Sequence, residues 1–253
     1  IDNETYDAVH ALNIPSAFIM KNVKSNKKIL SVHGIYSEQV ELLHSQTTGK
    51  LAQVGEEKAF SYSTKLTTDS KIVQQYYKEK YQVDFIHLPA PLDTKKFKDI
   101  GQVEKKLNQI VYVGRDSFEK GIDILQNIES KLNGKVVYCT NYPWLKTMKI
   151  LKSSKLLIVP SRMESLPQVI KEAFYLKIPV IATNVGGIPE IIQNEKTGIL
   201  IPSENEQEMI NAINNLIEND SLIDKMTSNA FEFINKFYSW NELLPKYIEL
   251  YEK

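Results

Sequence analysis

One run constrains the chain more than any other: Lys155 to Glu172, reading K-L-L-I-V-P-S-R-M-E-S-L-P-Q-V-I-K-E. Its apolar start has the length and β-branching of a buried strand. A polar turn follows from Pro160 to Ser165. Pro167 then stands where the first residue of a helix belongs, and Val169, Ile170, Ala173 and Phe174 recur at helical spacing. Strand, turn and helix in that order collect the backbone N–H groups of Ser165, Leu166 and Gln168, on either side of Pro167, at the strand's carboxyl end. Such a helix start favours an anion, through unpaired donors and through the helix dipole. Glu164 lies in the turn and Glu172 about one and a half turns into the helix. Glu172 suits the vicinal hydroxyls of a ribose, and Glu164 faces whatever the anion carries. Each alone could equally be a solvated side chain.

The rest of the chain alternates strand and helix, which predicts parallel sheets covered by helices on both faces. Ala8 to Leu12 reads as a strand, Ile14 to Met20 as either helix or strand, and Lys28 to Gly34 as a strand ending in His33-Gly34. Helix is expected from Glu38 to Ser63 with a break near Gly49. A strand at Leu66 to Thr68 follows, then a helix over Lys71 to Tyr81 capped by Ser70, and a strand over Val83 to Leu88. Residues 92–108 hold Asp93, five lysines and little apolar periodicity, the pattern of an interdomain linker with a solvated lysine face. Beyond them Gln109 to Val113 is a strand leading into Gly114 and Arg115. Glu119-Lys120-Gly121 opens a helix that runs to about Leu132.

Arg115 offers a planar fork of donors and Lys120 a compact charge, both at a strand's carboxyl end. The alternatives are that Arg115 pairs with a nearby carboxylate and that Lys120 is solvated. Lys135 to Cys139 is a strand and Trp144 to Lys152 a helix; Tyr142 or Trp144 either stacks on a base or belongs to the core or rim. Pro179 to Thr183 and Gly198 to Pro202 are the last strands, with a short helix from Ile188 to Gln193 between them. Helices over Glu204 to Ile217, Ser221 to Phe237 and Tyr238 to Tyr251 end the chain.

Seven residues separate Glu164 from Glu172, P-S-x-x-E stands before them, and E-A-x-x-x-x-x-P-V-I-A-T-x-x-G-G-x-P-E follows. This run closely resembles the family 4 retaining glycosyltransferases, the glycosyl transferases group 1, of the GT-B fold. G-R-x-x-x-E-K-G at Gly114 to Gly121 resembles that family's phosphate motif. In the first half, D-A-V-H-A-L-N-I-P-S-A and S-V-H-G-I-Y-S-E-Q resemble parts of its N-terminal domain, the second ending a strand in a histidine that contacts the donor sugar.

The resemblance implies an α/β protein with two Rossmann-like parallel-sheet domains. These are expected at residues 1–103 and 104–237, with residues 238–253 a closing helix that either packs back on the first domain or stays on the surface of the second. It also implies transfer of a sugar from a nucleotide diphosphate sugar, with retention of configuration and no covalent nucleophile. Gly114, Arg115, Lys120, Ser165, Leu166, Pro167, Gln168 and Glu172 would bind the donor, with Glu164 and His33 at the transferred sugar. No cofactor or metal is expected, because Arg115 and Lys120 would carry the charge a metal carries elsewhere.

The family's pattern has further strands and a glycine-rich loop before Asp7. The chain instead opens on Ile1, so the first domain is expected to be incomplete, as in a fragment or a processed product. A second chain supplying those strands is then a possible partner, beside the nucleotide sugar and a glycan, lipid or small-molecule acceptor. The alternatives are a non-catalytic nucleotide-sugar-binding module, one subunit of a split enzyme, or a sugar-nucleotide epimerase of the same architecture. A dehydrogenase would need G-x-G-x-x-G after a first strand, and no such run is present.

Composition narrows the field. Lys+Arg and Asp+Glu both count 31, which argues against nucleic acid as the main partner. No apolar run approaches the roughly 18 to 20 residues of a membrane span. No signal peptide is expected, and the single cysteine, Cys139, cannot form an internal disulfide. These features predict a cytoplasmic protein, free or peripheral at a membrane, with Cys139 packed in the core.

Overall fold

A computed structural model describes residues 4–252; Ile1 lies outside them. The chain forms two compact units, Ile1–Ala90 with Leu243–Lys253, and Pro91–Glu242.

The first unit runs β1 (Val9–Ala11), α1 (Ile14–Met20), β2 (Lys28–Val32), α2 (Tyr36–Leu43), α3 (Gln46–Ser61), β3 (Lys65–Thr68), α4 (Lys71–Tyr81), β4 (Ile86–His87). The four strands form one parallel sheet in chain order. Ala17, Leu30, Val32, Phe60, Tyr77 and Phe85 build its core. The ambiguous stretch after β1 is a helix, because Asn13 caps it through the Ser16 N–H at 2.9 Å and Pro15 suits its first turn.

The helical break falls at His44, not at Gly49. Ser45 and Thr48 close a capping box that starts α3. Gly49 lies inside that helix because α2 packs against it there: a Cβ would stand 2.7 Å from Glu41 Cβ. The strand expected over Val83 to Leu88 shrinks to Ile86–His87. The Phe85 carbonyl accepts from the Gln74 side-chain amide at 2.6 Å, and the Phe85 ring stacks on Tyr77.

The last helix, α11 (Trp240–Glu252), joins the first unit from Leu243 onward. Leu250 is buried with Ile29 and Leu88. Its final carbonyls accept from lysines, Lys65 on Leu250 at 2.8 Å and Lys27 on Tyr251 and Glu252 at 2.8 and 2.7 Å. Cations at a helix carboxyl end satisfy both the orphan carbonyls and the dipole.

The second unit runs β5 (Gln109–Val113), α5 (Ile122–Ile128), β6 (Lys135–Cys139), α6 (Trp144–Ser153), β7 (Leu156–Val159), α7 (Gln168–Tyr175), β8 (Val180–Thr183), α8 (Ile188–Ile191), β9 (Ile199–Ile201), α9 (Glu206–Ile217), α10 (Asp220–Phe237). Its sheet is parallel throughout, in the order β6-β5-β7-β8-β9. Successive residues point to opposite faces, and both faces are covered. Val111, Leu157 and Ala182 pack with Met148, Phe174 and Ile234, while Ile110, Ile158 and Ile181 pack with Leu125 and Ile213.

Residues 92–108 are more than a linker. Thr94–Ile100 is a 3-10 helix whose Phe97 and Ile100 are buried in this unit's core. Phe97 meets Trp144 edge-on with centroids 5.4 Å apart. Two anchors three residues apart are too few to show as periodicity, whereas Lys95, Lys96 and Lys98 are exposed as expected. Cys139 is buried, and burial pushes its thiol up to about 11, so it is an inert core residue. Among the described residues no helix is long and apolar enough to cross a membrane.

Candidate functional site

The loops after β5 and β7 are stitched together before any ligand is considered. The Tyr112 hydroxyl donates to the Arg115 carbonyl at 2.6 Å, fixing the turn after β5. The Glu119 carbonyl accepts from the N–H of Arg162 at 2.9 Å and of Met163 at 3.3 Å. The Arg162 guanidinium grips both carboxylate oxygens of Asp123 at 2.8 and 2.7 Å, Glu204 at 3.0 Å and the Phe118 carbonyl at 2.8 Å. A bidentate fork of this kind is strong and directional.

Two glycines let the backbone close around the Glu164 turn. Gly121 has φ +65°, and a Cβ on it would lie 2.0 Å from the Pro160 carbonyl oxygen. Gly186 has φ +50°, and its Cβ would lie 1.8 Å from the Glu164 carbonyl oxygen.

Within this frame Lys120 Nζ meets Glu164 Oε1 at 2.6 Å, and Ser161 Oγ donates to the same oxygen at 3.1 Å. Lys120 is therefore paired rather than solvated. Arg115 bonds Glu119 at 2.8 Å but remains 74% exposed. Glu119 is buried and also accepts from Ser117 at 2.7 Å, while its Oε2 is buried with no hydrogen-bond partner. Burial pushes this carboxyl up. The Ser117 hydroxyl, its own backbone N–H, Arg115 and Lys120 together outweigh burial and hold it below the ordinary range.

The start of α7 differs from expectation by one residue. Pro167 is the extended cap residue, and Gln168 is the first helical one. Pro167 has no N–H, so only Ser165, Leu166 and Gln168 can offer backbone donors there. Ser165, Leu166 and Pro167 are buried and Gln168 is exposed. Glu172 accepts the Trp144 indole N–H at 2.7 Å. Trp144 thus holds Glu172 and packs on Phe97. Tyr142 is exposed, with Lys146 Nζ 3.7 Å from its ring centroid.

His33 belongs to the first unit, just past β2, with Nδ1 3.1 Å from Asp69 Oδ2. Sequence reasoning gave no role to Glu119, Arg162 or Asp69, and offered Trp144 only as a base-stacking ring or a core or rim aromatic, not as a partner of Glu172. Only the E-K-G spacing hinted at the first, and tertiary proximity alone reveals the others. Among the described residues no group of three or more His, Cys, Asp or Glu side chains is placed to hold a metal ion.

Burial raises the Glu172 carboxyl above its ordinary value, against the lowering pull of Trp144, Lys171 and Lys96. Folding thus favours its protonated form relative to the unfolded chain, so the stability it adds is full at low pH and lost as pH rises through the shifted value. The ribose grip that the family resemblance implies for Glu172 would be stronger with the ionised, acceptor-only form and runs the other way. Nucleotide affinity is expected to fall on acidification at a pH above the usual carboxylate range, and this step is expected to vanish in Glu172→Gln. Titration calorimetry across pH checks both.

Residues 125–233 match the family described as glycosyl transferases group 1. The whole chain aligns with an uncharacterised glycosyltransferase of Methanocaldococcus jannaschii, 26% identical and covering 77% of that protein. Sucrose-phosphate synthase from Thermosynechococcus elongatus superposes with a TM-score of 0.80 over 97% of this chain and 73% of its own, at 16% identity. The Anabaena protein HepE, solved in complex with UDP-glucose, superposes at 0.77 over 96% and 78%, at 15% identity. The structural likeness shows the fold, α/β with two parallel sheets of GT-B type, as the sequence predicts. The matched domain and the glycosyltransferase relative support enzyme status, as a glycosyltransferase.

Proposed function

We propose that the chain transfers a sugar from a nucleotide diphosphate sugar to an acceptor, with retention of configuration and without a metal ion. The observation that carries this reading is the Lys120–Glu164 pair at the carboxyl edge of the second sheet, with Arg115 and Glu172 on the loops and helices around it. The UDP-glucose complex of the structurally similar Anabaena protein supports the donor class.

Lys120 and Arg115 would take the diphosphate, with the N–H groups of Ser165, Leu166 and Gln168 beside them. Charge grows on the diphosphate as the glycosidic bond breaks, so donors already in place stabilise the transition state. These cations are the reason no metal is invoked. Glu172, held by Trp144, would accept from the ribose hydroxyls. Glu164, held by Lys120 and Ser161, would orient hydroxyls of the transferred sugar; for His33 a contact with a donor sugar is what the family resemblance implies. Retention follows from the resemblance of the Pro160 to Glu190 run, not from the geometry.

Calorimetric titration with UDP, GDP and ADP, with and without EDTA, tests this. One nucleotide is expected to bind, equally well in the chelator. Binding of none, or only with added metal, sinks the reading.

A further inference from the structure

Three of the chain's four histidines lie on or next to the first sheet: His10 within β1, opposite Ile29, and His33 just past β2 and His87 at the end of β4, both at its carboxyl edge. Each is held differently. His10 is engaged on both ring nitrogens, with Nδ1 2.6 Å from the Tyr251 hydroxyl and Nε2 2.6 Å from Ser31 Oγ. Burial, and then the nearby His33, lowers its pKa, which favours its neutral form. His87 Nε2 lies 3.2 Å from the Asp69 carbonyl. His33 is half exposed, and its Nδ1 sits on the Asp69 carboxylate.

The juxtaposition is built by the sheet. β2 and β3 pair in parallel with Val32 opposite Thr68, so His33 and Asp69 are the next residues past that couple. The loop beyond His33 is fixed from below. The Tyr77 hydroxyl accepts the Tyr36 N–H at 3.3 Å and donates to the fully buried Glu56 at 2.8 Å, and Glu56 also accepts the Ser37 N–H at 2.9 Å.

We propose that Asp69 is the positioning residue of His33: its carboxylate holds the Nδ1–H, so the neutral ring presents an unprotonated Nε2 that accepts a hydrogen bond from a sugar hydroxyl. A carboxylate is an acceptor only, so the ring nitrogen facing it must carry the proton. Asp69 is buried at 8% exposure beneath a ring whose side chain is 47% exposed, which leaves the other ring edge available. Among the charged and titratable groups around the pair are His10, His87 and Tyr247, the last of which feels the Asp69 charge. This assignment rests on the proposed donor reading for its substrate, but the tautomer does not.

The first readout is imidazole 15N NMR of the full chain without ligand. His33 is expected as the Nδ1–H tautomer when neutral, and as a mixture of tautomers in Asp69→Asn, which keeps the shape but can present a donor. Asp69→Ala gives the same answer by a second route. An unchanged tautomer in both variants overturns the assignment.

The second readout is the ratio of affinities for UDP-glucose and UDP, or for the GDP or ADP pair if that base is the one bound. Asp69→Asn is expected to reduce the sugar's contribution about tenfold while leaving the bare nucleotide unaffected. In a His33→Ala background it is expected to cost nothing more. An equal loss in that background makes Asp69 merely structural and overturns the proposal. An undiminished sugar preference in His33→Ala overturns the role given to His33, and the tautomer result then stands or falls by itself.

Discussion

Lys120→Ala is expected to weaken nucleoside diphosphate binding by about 100-fold, against about fivefold for Arg115→Ala. Both cations would serve the same anion, but their surroundings differ. Lys120 is 22% exposed and meets a Glu164 that is 11% exposed, at 2.6 Å. A charge so shielded acts through little water, and each of its contacts is correspondingly stronger. Arg115 is 74% exposed, so water and salt screen it.

Removing Lys120 would also leave the Glu164 carboxylate close to the proposed diphosphate position, with the Ser161 hydroxyl still on it. Repulsion then adds to the lost attraction. Lys120→Ala combined with Glu164→Gln is therefore expected to recover part of the affinity. Calorimetric titration with the bound nucleotide measures all three variants. Equal losses for Lys120→Ala and Arg115→Ala, or no recovery in the double variant, would falsify the assignment of Lys120 as the central cation.

Gly186→Ala is the second large effect, expected to destabilise the second unit by about 3 kcal/mol. Two costs add. An alanine at φ +50° meets the left-handed penalty, and its Cβ would sit 1.8 Å from the Glu164 carbonyl oxygen. That neighbour is backbone, so no side-chain rotation relieves the clash. The turn carrying Glu164 must move, and nucleotide binding is expected to fall with stability. Gly55→Ala is the control: nothing lies within 4 Å of its Cβ, and it stands inside α3. There alanine is expected to stabilise by about 0.5 to 1 kcal/mol. Urea unfolding of the two variants decides the matter, and similar midpoints would show that the close approach at Gly186 is unimportant.

Much of this protein is legible from local chemistry. Strand-length β-branched runs between helical periods place nearly every strand of the second unit. Ser70 marks the start of α4, and the spacing of Glu164 and Glu172 draws attention to the turn and helix that carry them. Local pattern fails where the deciding partner is distant in sequence. Gly49 looks like a helix breaker until α2 is packed against it. Phe97 and Ile100 look like linker residues until Trp144 and Tyr175 supply the surface they bury against.

The same division holds at the site. The sequence by itself determined most of the elements, that their sheets are parallel, and which charged residues stand at strand ends, because these depend on side-chain period and on neighbours within a few positions. Only the tertiary structure decided that Lys120 pairs with Glu164 across 44 residues, that Trp144 holds Glu172, and that Asp69 holds His33. Those partners come from different strand-end loops, and their distances are set by sheet register and by the close backbone approach at Gly121 and Gly186. No local propensity encodes either quantity.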